Sequence, residues 1–113
     1  MEIVANFING ERCYSSSQNT LPVTNPATGQ VIRQVTQSTS EEMLQAIDAA
    51  HRAFPTWSQT PPLRRARILF AFKALIEKHR DELADLIVSE HGKVFSDAQG
   101  ELTRGLEVVE FAC

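Results

Sequence analysis

Thr39-Ser40-Glu41-Glu42 sets the plan of the whole chain. It is a capping box: the Thr39 hydroxyl can accept from the Glu42 amide, and the Glu42 side chain can bond back. Before it, apolar runs are short and bounded by turn residues. After it, apolar residues recur at helical spacing to the last residue. The expected fold class is mainly α with short N-terminal β-strands: residues 1–37 form strands and turns, residues 38–113 helices.

Ile3 to Ile8 is β-prone. Asn9-Gly10 is the strongest short hairpin signal, and Glu11 to Tyr14 returns from it. Ser15 to Thr20 is a polar loop, and Leu21 to Thr24 a short strand. Asn25-Pro26-Ala27-Thr28-Gly29 is a turn, with proline fixing φ and glycine supplying a positive one. Gln30 to Thr36 alternates, with Val31 and Val35 β-branched, and makes a further strand.

Met43, Ile47, Ala50 and Phe54 follow the capping box at steps of four, three and four, one face of a helix. Pro55 is expected to end that helix. Pro61-Pro62 starts the next, since a proline in the first turn gives up an N–H that has no partner there. This helix runs from about Leu63 to Lys78 and is apolar over much of its circumference. A third covers Asp81 to about Glu90, with Leu83, Leu86 and Ile87 buried and Gly92 as its C-cap. The last runs from about Phe95 to the end. Phe70, Phe72, Val109 and Phe111 exceed what one small bundle can cover. The final helix has no capping Gly or Asn, no basic last turn and no trailing proline. The chain is therefore expected to be the N-terminal part of a longer protein, truncated at its C-terminus.

At 113 residues this is at most one domain. A hydrophobic content of 42% argues against disorder. A net charge of -3 gives no broad attraction to nucleic acid or anionic membrane. The apolar runs fall far short of a membrane span, and Met1 to Asn6 carries no signal-type pattern, so a cytoplasmic protein is expected. Cys13 and Cys113 have no C-x-x-C neighbour and read as two reduced thiols.

Few side chains point to chemistry. Arg64-Arg65-x-Arg67 is the only basic cluster, and without interleaved aromatics it reads as a solvated helix face. His51, His79 and His91 lack the spacing that puts two metal ligands on one helix face. Asp81, Glu82, Asp85 and Glu90 form an acidic helix face. Gly92-Lys93 is not preceded by the glycine pattern of a phosphate loop, and no G-x-G-x-x-G is present. Arg104 differs. Its neighbour Gly105 costs a helix about 1 kcal/mol relative to Ala, which suggests close approach of another backbone or a ligand. An ion pair of Arg104 to Glu101 or Glu107 is the plainer alternative.

Five segments in register resemble the N-terminal region of aldehyde dehydrogenases. They are Phe7 to Glu11, Asn25 to Ile32, Ala49 to Trp57, Arg64 to Phe70, and Glu90-His91-Gly92-Lys93. The resemblance covers essentially the whole chain from Phe7 on. Gly100 to Ala112 is similar to the CoA-acylating methylmalonate-semialdehyde dehydrogenase branch. Arg12 departs from the tryptophan common after the N-G-E turn, and His91 from the asparagine or glutamine common before Gly-Lys.

The resemblance implies a parent enzyme of the α/β aldehyde dehydrogenase fold. It implies oxidation of methylmalonate or malonate semialdehyde with NAD and CoA, with decarboxylation, to propionyl-CoA or acetyl-CoA. Arg104 is then expected to hold the substrate carboxylate, because a guanidinium offers a planar fork that lysine cannot copy. No catalytic, cofactor-binding or metal residue is assigned: the nucleophilic cysteine, the general-base glutamate and the nicotinamide-binding segment lie beyond Cys113. No cofactor is expected on this chain alone. Its expected partners are the remainder of the enzyme, a small semialdehyde and further copies of itself as a homo-oligomer. A non-acylating aldehyde dehydrogenase and a stand-alone helical interaction module are the alternatives.

Overall fold

The N-terminal β-prone run divides at Ala5 and feeds two different sheets. The computed structural model describes residues 1–113, with five short strands ahead of four helices. Strand β1 (Ile3–Val4) pairs parallel with β5 (Val31–Thr36), placing Ile3 opposite Gln34. Strand β2 (Asn6–Ile8) pairs antiparallel with β3 (Glu11–Cys13), placing Asn6 opposite Cys13. The sequence suggested one strand here; the structure makes two. Asn9 and Gly10 have φ of 53° and 80°, as a two-residue hairpin turn requires.

Strand β4 (Thr20–Thr24) lies antiparallel to β5, giving the order β1-β5-β4. Pro22 thus falls on an edge strand, where its missing N–H need not cost a ladder bond. In the turn that follows, Gly29 N–H donates to the Asn25 carbonyl at 2.8 Å.

Helix α1 (Ser40–Gln59) opens on the capping box. Glu42 N–H donates to Thr39 Oγ1 at 3.2 Å, and Thr39 N–H donates to Glu42 Oε2 at 3.0 Å. The same carboxylate accepts from Ser15 Oγ at 2.6 Å and from Ser16 N–H at 2.8 Å, pinning the polar loop to the helix start. With these donors, Ser15 first, the Glu42 pKa falls from 4.5 to about 2.

Pro55 does not end α1, which continues to Gln59. The ring removes one backbone bond near the helix end, and the stretch around it is solvent-exposed, so its local adjustment meets no packed neighbour. Ser58 Oγ donates to the Pro55 carbonyl at 3.0 Å. The apolar stripe is present on the helix but uncovered: Met43, Ile47 and Phe54 are all exposed.

Helices α2 (Pro62–Lys78), α3 (Arg80–His91) and α4 (Phe95–Ala112) follow. Pro62 occupies the first turn of α2. Gly92 ends α3 at φ 85°, its N–H donating to the Val88 carbonyl at 2.9 Å. The core sits where α4 crosses α3. Ala84 and Ala98 are fully buried there, and Leu106 is nearly so. Leu86, expected to be buried, is 39% exposed, and the small Ala84 holds the inward position instead. Phe70, Phe72 and Phe111 are exposed, while Val109 is half-buried.

Two compact units result: Met1–Asn25 with Gly29–Gln59, and Pro26–Thr28 with Thr60–Cys113. The division does not follow the change from strands to helices, because α1 groups with the strands. No helix is long and apolar enough to cross a membrane.

Candidate functional site

Helix α4 is held from several sides, and one cation on it is left over. At its first turns, Arg80 Nη2 donates to the Gln99 carbonyl at 3.0 Å and also to Thr103 Oγ1. Near its end, Lys73 on α2 pairs with Glu110 at 3.1 Å. Between them Lys93, in the link from α3 to α4, donates to Glu101 Oε1 at 2.6 Å. Residues of α4 facing α2 and α3 are therefore tied down by both packing and charge.

Arg104 lies in the middle of this braced stretch. It is exposed and forms no hydrogen bond or ion pair within the chain. The alternative ion pair to Glu101 or Glu107 is not made, and the Glu101 carboxylate is held by Lys93 instead. The Arg104 guanidinium folds back one turn, where Nη1 lies 3.5 Å from the place a β-carbon on Gly100 would take. Glycine at position 100 thus leaves the helix surface open beneath it. The Lys93 hydrogen bond holds the Glu101 carboxyl below the usual carboxylate range, and the nearby charges of His91 and Arg104 act in the same direction.

Gly105 was expected to mark the approach of another backbone or a ligand. No other backbone approaches: a β-carbon there would meet nothing within 4 Å. Gly105 instead lines a groove of about 460 Å³ between α2, α3 and α4, together with Phe72, Ile76, Leu83, Leu102 and Val109. Glu101 is the only charged side chain in its wall. A dinucleotide or CoA carries phosphates, which need N–H or cationic donors. This groove offers a carboxylate, so its residues do not fit either group.

Cys13 and Cys113 are free and only partly exposed. No three His, Cys, Asp or Glu side chains gather as metal ligands. His79 Nδ1 lies 2.9 Å from Glu82 Oε2 at the start of α3, a local pairing. Sequence reasoning singled out Arg104 but missed the pairing of Lys93 with Glu101. Their eight-residue separation crosses a turn, so no helical spacing announces the pair. The Gly-Lys dipeptide was the one signal available, and a phosphate loop was the only role weighed for it.

The family model described as "Aldehyde dehydrogenase family" matches residues 13–113. Malonate-semialdehyde dehydrogenase 1 of Geobacillus kaustophilus is 48% identical over 110 residues, which is 97% of this chain and 22% of that protein. The crystal structure of methylmalonate-semialdehyde dehydrogenase from Oceanimonas doudoroffii superposes with a TM-score of 0.96 at 48% identity, covering 100% of this chain and 23% of that one. A Sinorhizobium meliloti protein assigned as methylmalonate-semialdehyde dehydrogenase, solved in complex with NAD, gives a TM-score of 0.95 at 39% identity over 98% of this chain and 23% of its own. The chain thus spans less than a quarter of the length of the relatives it matches.

Proposed function

The chain belongs to the aldehyde dehydrogenase family, and from that premise we propose that it forms the N-terminal part of an NAD-dependent, CoA-acylating semialdehyde dehydrogenase. The substrate is malonate or methylmalonate semialdehyde. Malonate semialdehyde, CoA and NAD+ would give acetyl-CoA, CO2 and NADH; the methyl-substituted substrate would give propionyl-CoA. The names of the relatives support this substrate class.

One observation within the chain carries the reading. Arg104 presents an exposed, unpaired guanidinium on a braced helix, at the position where the family resemblance implies a grip on the substrate carboxylate. Two parallel N–H donors match the two carboxylate oxygens. Held this way at its acid end, the semialdehyde would present its carbonyl at a fixed distance and direction, and orientation lowers the barrier of the reaction. The nucleophile and the sites for NAD and CoA belong, in this reading, to segments other than this chain. Bound there, NAD accepts the hydride and CoA the acyl group.

The test is substrate discrimination in the full-length enzyme that carries this chain. Arg104→Lys should impair a semialdehyde acid far more than a simple aldehyde of similar size. Equal impairment on malonate semialdehyde and propionaldehyde would assign Arg104 a purely structural role.

A further inference from the structure

Glu101 and Arg104 are three residues apart on α4, the spacing at which opposite charges on a helix ordinarily meet. They do not pair here. The Glu101 carboxylate is taken by Lys93 at 2.6 Å, and the Lys93 side chain is only 22% exposed, so it is seated rather than trailing in solvent. Arg104 is left with no partner in the chain. Lys93, Glu101 and Arg104 together count two cations against one carboxylate, and a second carboxylate would complete them.

Resting on the reading of Arg104 as a carboxylate holder, we infer that Lys93 is a positioning residue: by holding Glu101 it keeps that carboxylate off the Arg104 guanidinium and leaves the fork open for the substrate. Were Glu101 released, its nearest cation on the same helix would be Arg104. Each substrate molecule would then have to displace an internal carboxylate before it could bind. Nothing in this role needs Lys93 to touch the substrate. Glu101 lines the groove and Arg104 lies exposed beside it, about 60° round the helix, because three residues turn it by about 300°; a released Glu101 carboxylate would therefore be within reach of the guanidinium.

The relation between the three side chains is testable on this chain without any activity. In nitrogen-15 spectra, the Arg104 Nε–H signal should shift in Lys93→Met and return to its original position in Lys93→Met with Glu101→Gln. An Arg104 signal indifferent to Lys93→Met would overturn the inference. Lys93→Gln serves the same comparison where the methionine variant does not fold.

Kinetics in the full-length enzyme supply the second readout. Lys93→Met should raise KM for malonate semialdehyde about two- to fivefold, the effect of one exposed ion pair. It should leave kcat/KM for propionaldehyde unchanged, and Lys93→Arg or the added Glu101→Gln should restore the semialdehyde value. Equal losses on both substrates, or no recovery in the double variant, would overturn it. A failure of Arg104→Lys to discriminate between the substrates would sink the carboxylate-holding reading itself, and the spectra would still judge whether Lys93 governs Glu101.

Discussion

Gly92 makes room for the ring of Pro26: a β-carbon on Gly92 would lie 2.7 Å from Pro26 Cγ. The turn residue and the helix cap are thus matched surfaces within one compact unit.

Gly92→Ala should therefore be among the costliest glycine substitutions. The left-handed conformation costs a non-glycine residue about 1–2 kcal/mol, and forcing a methyl against a ring costs about 1–3 kcal/mol more. Gly29→Ala is the matched comparison, because φ is 72° and a β-carbon there meets nothing. It should lose only the conformational part. Urea unfolding of the two variants reads the difference, and equal losses would remove Pro26 from the account.

Arg104→Lys should lower kcat/KM for malonate semialdehyde about ten- to a hundredfold. That is the kinetic equivalent of losing a charge-assisted bond worth about 1.5–3 kcal/mol. Steady-state kinetics on malonate semialdehyde and propionaldehyde side by side provide the measurement.

Glu42 makes the pH behaviour of its unit predictable. Its pKa is about 2 in the folded chain against an ordinary 4.5. A lowered carboxyl pKa stabilises the fold fully above 4.5, and this contribution disappears as the pH falls toward 2. The Glu42 carboxyl resonance should titrate with a midpoint near the lower value, and Glu42→Gln should flatten the stability profile across that window. A midpoint at the ordinary value would show that Ser15 and Ser16 do not hold the carboxylate in solution.

The isolated chain should self-associate. Phe70, Phe72 and Phe111 are 57%, 49% and 94% exposed. Each large apolar side chain left in water forfeits about 1.5–3 kcal/mol, a sizeable share of a domain's stability of about 5–15 kcal/mol. At roughly tens of micromolar, association by mass action should remove the monomer. Sedimentation equilibrium showing a single 12.6 kDa species, with a melt independent of concentration, would contradict this.

Local signals were legible in the sequence, and distant partners were not. The Thr39–Glu42 box, the Asn9-Gly10 turn and the Gly92 cap each rest on backbone geometry within a few residues, and each is present in the fold. Pro55 misled because its cost was judged as for a packed helix interior, whereas it lies in an exposed final stretch. The capture of Glu42 by Ser15 and Ser16 joins residues 26 and 27 positions apart. Lys93 reaching Glu101 crosses a turn. Such pairings depend on how elements pack, which no periodicity encodes. The stripe of Met43, Ile47 and Phe54 shows the converse: its helix was readable, but nothing in the chain covers it. At the candidate site, Arg104 was legible through family resemblance, and its freedom from Glu101 only through the fold.

The break at Ala5 also sets an order of events during folding. The hairpin of β2 and β3 closes across two residues and can form within about 1–10 μs. Strand β1, directly before it, has no local partner. It must wait for Gln34 and Val35, some thirty residues onward, and the entropy of closing that loop is lost before any pairing is gained. Two adjacent strands of one short segment thus face very different loop-closure costs. Until Ile3 and Val4 pair, the β5 edge that they cover remains open to pairing with another strand.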